Sequence, residues 1–179
     1  MMTKIIYGIV LLLSLLLMSC DTKPSLQKYF VENTENKDFI ALDISSSILN
    51  LDQTKLTIEQ TEAIKSFDKM NILAFKSNGK NQVQFDSERA KVNSILKDEK
   101  YQQLMKVGSG KDGASVSYVG TDDHIEEFVL YANKKDVGFA LVRVLGKDMN
   151  PNNIMTMISL LKSSKIDMEQ LKPLQALMK

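Results

Sequence analysis

The chain has one cysteine, Cys20, one histidine, His124, and three prolines in 179 residues. A lone cysteine closes no intrachain disulfide, so the fold must be held by its apolar core alone. A lone histidine routes any imidazole chemistry through His124, and no GxSxG elbow accompanies it. Neither sign of charge is in excess: 23 basic residues face 22 acidic ones. Such a balance gives no long-range field to steer nucleic acid or anionic lipid toward the protein, and nucleic-acid binding is set aside. The chain also lacks internal repeats, low-complexity tracts and any composition shift that would mark a second domain.

What is present begins at the amino terminus. Lys4 precedes a run from Ile5 to Met18 that is broken only by Gly8 and Ser14. The run falls short of the roughly 20 apolar residues a spanning helix needs. A basic start, a short apolar stretch and a small-residue exit are the marks of a secretory signal. The exit reads Leu17-Met18-Ser19-Cys20 and resembles the lipobox of bacterial lipoproteins. That resemblance implies cleavage between Ser19 and Cys20, a thioether diacylglycerol on Cys20, and acylation of the new amino terminus. Sulfur suits the chemistry because a thiolate is a strong nucleophile near neutral pH. Several acyl chains, at about 0.8 kcal/mol per buried CH₂, hold a protein on a membrane where one chain is marginal.

The expected organisation is a signal peptide over residues 1–19, a lipidated Cys20 with a short tether over 20–38, and one domain over 39–179. Within the tether, Asp21 to Pro24 reads as free chain, followed by a helical turn docked by Leu26, Tyr29 and Phe30. FIALDIS, Phe39 to Ser45, alternates with period two and predicts a strand. Thr57-Ile58-Glu59-Gln60 fits a capping box and predicts a helix over Ile58–Asp68. Met70 to Lys76 reads as a strand closed by Ser77-Asn78-Gly79. Asp86 or Ser87 is expected to cap a helix that ends near Asp98 and carries Phe85, Val92, Ile95 and Leu96 on one face. Four apolar runs then follow with short turn-forming links and predict an antiparallel meander. The last two runs are apolar on both faces, which places them centrally. Asn150-Pro151 opens a further helix, and residues 166–179 read as helical with a break at Pro173. The fold class is α+β: a mixed, largely antiparallel sheet of about six strands with helices mainly on one face. The first two strands are expected to be parallel, with the Ile58–Asp68 helix as crossover.

GSGKDG, Gly108 to Gly113, resembles a phosphate loop, but its lysine is followed by Asp112 and it leads into a strand, so it reads as a hairpin turn. Asp122, Asp123 and His124 form a polar cluster that offers oxygen and nitrogen ligands to a divalent ion. Strand alternation sends Glu126 and Glu127 to opposite faces, which argues for a solvated turn instead. Arg143 interrupts an apolar run and is expected to pair with a carboxylate such as Asp43, or to receive an anionic ligand. Met149, Met155, Met157, Met168 and Met178 read as core gap-fillers, with an adaptable partner surface as the alternative.

The lipobox, FIALDISSSILNL, MNILAF, YQQLMKVGSGKDGASVSYVG and FALVRVLGKDMNPNNI are together similar to a group of small bacterial envelope lipoproteins known as a domain of unknown function. The resemblance spans nearly the whole mature chain and brings no catalytic residues with it. The reading is a non-enzymatic interaction or regulatory accessory module, with no cofactor beyond the lipid on Cys20, anchored to a bacterial membrane and meeting another envelope protein. Inner and outer membrane both remain open, as does the oligomeric state. Two other classes stay beside it: a hydrolase or metal-dependent enzyme centred on His124, and an apolar-ligand carrier lined by Phe139, Leu141, Met155 and Ile158.

Overall fold

A computed structural model describes residues 23–45, 56–109 and 112–163. The signal sequence, Ser19, Cys20, the Ser47–Leu51 turn, Lys111 and the Pro173 segment lie outside the described residues. In chain order the elements are α1 (Leu26–Asn33), β1 (Phe39–Ser45), α2 (Ile58–Ser66), β2 (Phe67–Lys76), α3 (Gln82–Ile95), β3 (Gln102–Ser109), β4 (Asp112–Thr121), β5 (His124–Lys134), β6 (Gly138–Met149) and α4 (Pro151–Ser163). The strands form one six-stranded sheet in the order β1-β2-β6-β5-β4-β3. The architecture is α+β, and β5 and β6 are interior strands, as their two apolar faces require.

Every strand pair is antiparallel, so the expected parallel pairing of β1 with β2 is corrected. A parallel crossover must carry the chain back along the whole strand. The nine-residue α2 is only about 13 Å long at 1.5 Å per residue. It also runs straight into β2 with no linking residue, so β2 starts beside the end of β1, with Ser45 opposite Lys69.

The helices are divided between the two faces, which corrects the expectation of one. Phe39, Leu73, Phe75, Val129, Tyr131, Phe139 and Leu141 point to one side of the sheet and pack under α1 and α3. Phe128, Val144 and Met149 point to the other and pack with Ala63 and Phe67 of the α2–β2 segment and Leu160 of α4. The first layer is aromatic: Phe75 and Phe139 stack with centroids 5.6 Å apart, and Phe39 meets both edge-on. Gly138 makes that layer possible. Its φ is +134°, and a Cβ there would lie 2.0 Å from the Phe75 carbonyl oxygen, so only glycine lets β6 run this close to β2.

Local chemistry explains most element ends. The Thr57 capping box is closed: the Gln60 amide donates to Thr57 Oγ1 at 3.2 Å, and the Thr57 amide to Gln60 Oε1 at 3.0 Å. This helix stops at Ser66, not Asp68, because Phe67 is drawn into the sheet opposite Gly146, across a bulge. α3 begins at Gln82, before the expected caps Asp86 and Ser87, and ends at Ile95. Asn81 precedes it but leaves it without a side-chain cap, because its carboxamide is engaged by the Asn78 amide and the Lys76 carbonyl in the turn closing β2. Phe85, Val92 and Ile95 are buried along one side of α3, with Leu96 packed against them. At α4, Asn150 Oδ1 accepts from the Asn153 amide at 3.0 Å, as the Asn-Pro start implies. Met149 is fully buried while Met155 is exposed, so gap-filling describes the first and not the second.

Candidate functional site

The packed unit begins at Leu26, which is wholly buried. Ser25 caps α1 by accepting from the Lys28 amide at 3.2 Å. Leu26, Tyr29 and Phe30 dock this helix as their spacing predicts. Beneath it lies Arg143, only 4% exposed. Its Nε and Nη2 donate to the two carboxylate oxygens of Glu127 at 2.7 and 3.0 Å, and Nη1 donates to Gln27 Oε1 of α1 at 2.8 Å. The guanidinium also sits 5.4 Å from the centre of the Phe30 ring. The expected partner Asp43 is corrected: β2 lies between β1 and β6, and Asn71, opposite both Asp43 and Arg143, hydrogen-bonds Asp43 instead. With each of its three nitrogens engaged and Phe30 across its face, Arg143 is built to fasten α1 to the sheet. A second link runs from α1 to α3, where the Tyr29 hydroxyl donates to Glu88 Oε2 at 2.8 Å and Lys91 pairs with Glu88 at 2.6 Å. Burial, reinforced by the Glu88 carboxylate, raises the Tyr29 pKa well above the ordinary tyrosine range.

The polar cluster at the β4–β5 turn does not converge. The Tyr118 hydroxyl donates to Asp122, and this bond is the main cause of an upward shift of the Tyr118 pKa. His124 turns the other way: its Nδ1 lies 2.7 Å from Asp148 Oδ1 at the end of β6. Asp123 joins neither contact. Both partners of the His124–Asp148 pair are open to water, at 72% and 77%. Asp148 is the only hydrogen-bond partner of the His124 side chain among the described residues. A carboxylate orienting an imidazole is two parts of a relay, but among the described residues no nucleophile is hydrogen-bonded to the ring. Among the described residues no group of three or more His, Cys, Asp or Glu side chains is placed to hold a metal ion. Glu126 is exposed and Glu127 buried, the opposition that strand alternation requires. Exposed pairs of this kind contribute little. His124→Ala is therefore expected to change unfolding free energy by less than about 0.5 kcal/mol, and a denaturant titration beside the wild type checks it.

The residues expected to line an apolar cavity are also separated. Phe139 and Leu141 lie in the aromatic layer beneath α3, while Met155 stands exposed on α4, across the sheet. A different concavity, of about 370 Å³, lies where the C-terminal end of α3 overhangs β3 and β4. Tyr131 lines it, and its hydroxyl is buried with no hydrogen-bond partner of ordinary geometry among the described residues, although the Asn93 carboxamide stands beside it. Burial raises the Tyr131 pKa to about 12. A buried polar group left unpaired costs about 1–3 kcal/mol.

Sequence reasoning missed Glu127 as the partner of Arg143, and missed Gln27, Asp148 and Tyr131. The first was recoverable, since counting back along the β5–β6 hairpin from Lys134 opposite Gly138 sets Val129 opposite Arg143 and Glu127 on the diagonal. The others depend on how α1, α3 and the end of β6 sit over the sheet, which no local spacing reveals.

A family model described as "Domain of unknown function (DUF4252)" matches residues 29–157. No curated protein and no solved structure matches the chain.

Proposed function

The chain belongs to the DUF4252 family, and from that premise and the Leu17-Met18-Ser19-Cys20 sequence we propose that it is a lipid-anchored, non-enzymatic module of the bacterial cell envelope that serves by contact with another envelope protein. The observation that carries this reading is the apolar run ending in a small residue and the chain's only cysteine. The geometry supports it in two ways. The first capped helix starts at Leu26, so the segment Asp21 to Ser25 can extend only about 18 Å at 3.6 Å per residue, and the domain rides close to the bilayer. The second is that the amino-terminal run Ile5 to Met18 falls short of a membrane span, and among the described residues no helix is long and apolar enough to cross a membrane.

A role in contact is supported by β3. It is an edge strand, and Leu104, Met105 and Val107 are about half exposed along it. Natural sheets ordinarily shield such an edge. The open His124–Asp148 pair, with no nucleophile against it among the described residues, gives no comparable support to hydrolysis.

The experiment is metabolic labelling with a clickable fatty acid in the native host or a bacterial surrogate. Wild-type protein is expected to carry the label in the membrane fraction, and Cys20→Ser to carry none. An unlabelled wild type, or equal labelling of the variant, would sink the proposal.

A further inference from the structure

We propose that the concavity between α3 and the β3–β4 hairpin is a binding site for a small hydroxyl-rich anion of the sugar-acid or sugar-phosphate class. Its floor is the β3–β4 side of the sheet face on which α1 and α3 pack. Across three strands Lys106, Ser115 and Tyr131 stand side by side, because Lys106 pairs with Ser115 and Ser115 with Tyr131. Residues in register on neighbouring strands share a face. From above, Asn93 of α3 and Lys97, two residues past its end, line the same space.

The chemistry of that lining is one-sided. Beside the apolar Leu96, Val107 and Ala114 it holds two ammonium groups, amides and hydroxyls, and among the described residues no carboxylate. Neither Lys97 nor Lys106 has an ion-pair partner among the described residues, whereas Lys28 pairs with Glu32 and Lys91 with Glu88. Two uncompensated cations select an anion, and the amides and hydroxyls suit vicinal hydroxyl groups. The independent sign of a ligand is Tyr131. It is 5% exposed, lines the concavity, and its hydroxyl is left without a partner of ordinary geometry. A ligand oxygen that displaces the Asn93 carboxamide would accept from it. Elsewhere the buried phenols are served, Tyr29 by Glu88 and Tyr118 by Gln102 and Asp122.

The test titrates the purified protein with glucuronate, glucose 6-phosphate, glucose and inorganic phosphate, read by amide chemical shifts. Glucuronate or glucose 6-phosphate is expected to bind at about millimolar Kd or tighter, with shifts at Asn93, Lys97, Ser115 and Tyr131. Glucose is expected to bind at least about tenfold more weakly, because it lacks the charge. Lys97→Ala with Lys106→Ala should abolish binding. Tyr131→Phe should weaken it about fivefold or more while leaving the thermal midpoint unchanged or raised, since it removes an unpaired hydroxyl. No shift with either sugar anion, or equal binding of phosphate alone, would overturn the proposal. So would a Tyr131→Phe domain that binds as wild type or melts clearly lower; the lower midpoint would mean that the hydroxyl is satisfied inside the protein. None of these outcomes depends on the lipid at Cys20.

Discussion

Arg143→Ala is expected to destabilise the domain by about 3–5 kcal/mol, a large share of the 5–15 kcal/mol a domain typically has. The loss does not measure the attraction of the pair. It arises because Glu127, 9% exposed, would be left as a buried carboxylate without its bidentate partner, while Gln27 would lose the donor that ties α1 to the sheet. The double replacement Arg143→Leu with Glu127→Leu separates these terms. Removing both charges leaves no uncompensated ion, and such replacements are often neutral or stabilising. The double variant is therefore expected to recover most of the single-variant loss in a urea titration. A single-variant loss under about 1 kcal/mol would show that the pair is solvated, and that α1 is not held through Arg143.

Phe139→Ala is expected to cost a comparable amount, about 3–5 kcal/mol. Phe139 touches Phe39, Phe75, Phe85 and Tyr131 at centroid separations of 5.6–6.2 Å within one cluster. It is 4% exposed at the centre of the layer between the sheet and the two helices. Part of the cost is transfer of the ring to water in the unfolded chain, and part is the cavity left among neighbours fixed by strand register. A double-mutant cycle with Phe75→Ala should return a coupling of about 0.5–1.5 kcal/mol beyond burial, given their near-parallel stacking. Phe139→Leu, which refills much of the volume, should lose clearly less. Equal losses for alanine and leucine would mean that ring shape, not filled volume, sets the cost.

How much of this was legible beforehand depends on the range of the interaction. Signals contained within one element were readable. Period-two alternation gave β1 its full extent from Phe39 to Ser45, Thr57 and Gln60 closed the expected box, and Asn150 caps its helix. The helix–strand boundary at Phe67 was not readable, because Ile64 and Phe67 fit a helical face as well as a strand start. Only pairing with Gly146, far along the chain, decides it. The same holds for the direction of β2, set by where α2 delivers the chain. The two-sided placement of the helices was implied by β5 and β6. Strands apolar on both faces need cover on both, and a one-sided arrangement contradicts that demand. At the site, the separate letters of Asp122, Asp123 and His124 were visible, but the turn aims Asp122 at Tyr118 and His124 at Asp148. Adjacency in sequence does not supply convergence in space.

The claim on which the biology rests is chemical and concerns one sulfur atom. Intact-mass analysis of the protein extracted from membranes should find a chain that begins at Cys20 and carries the added mass of a diacylglycerol thioether and an amino-terminal acyl group. A chain that still carries residues 1–19, or begins at Cys20 with its thiol unmodified, would contradict it.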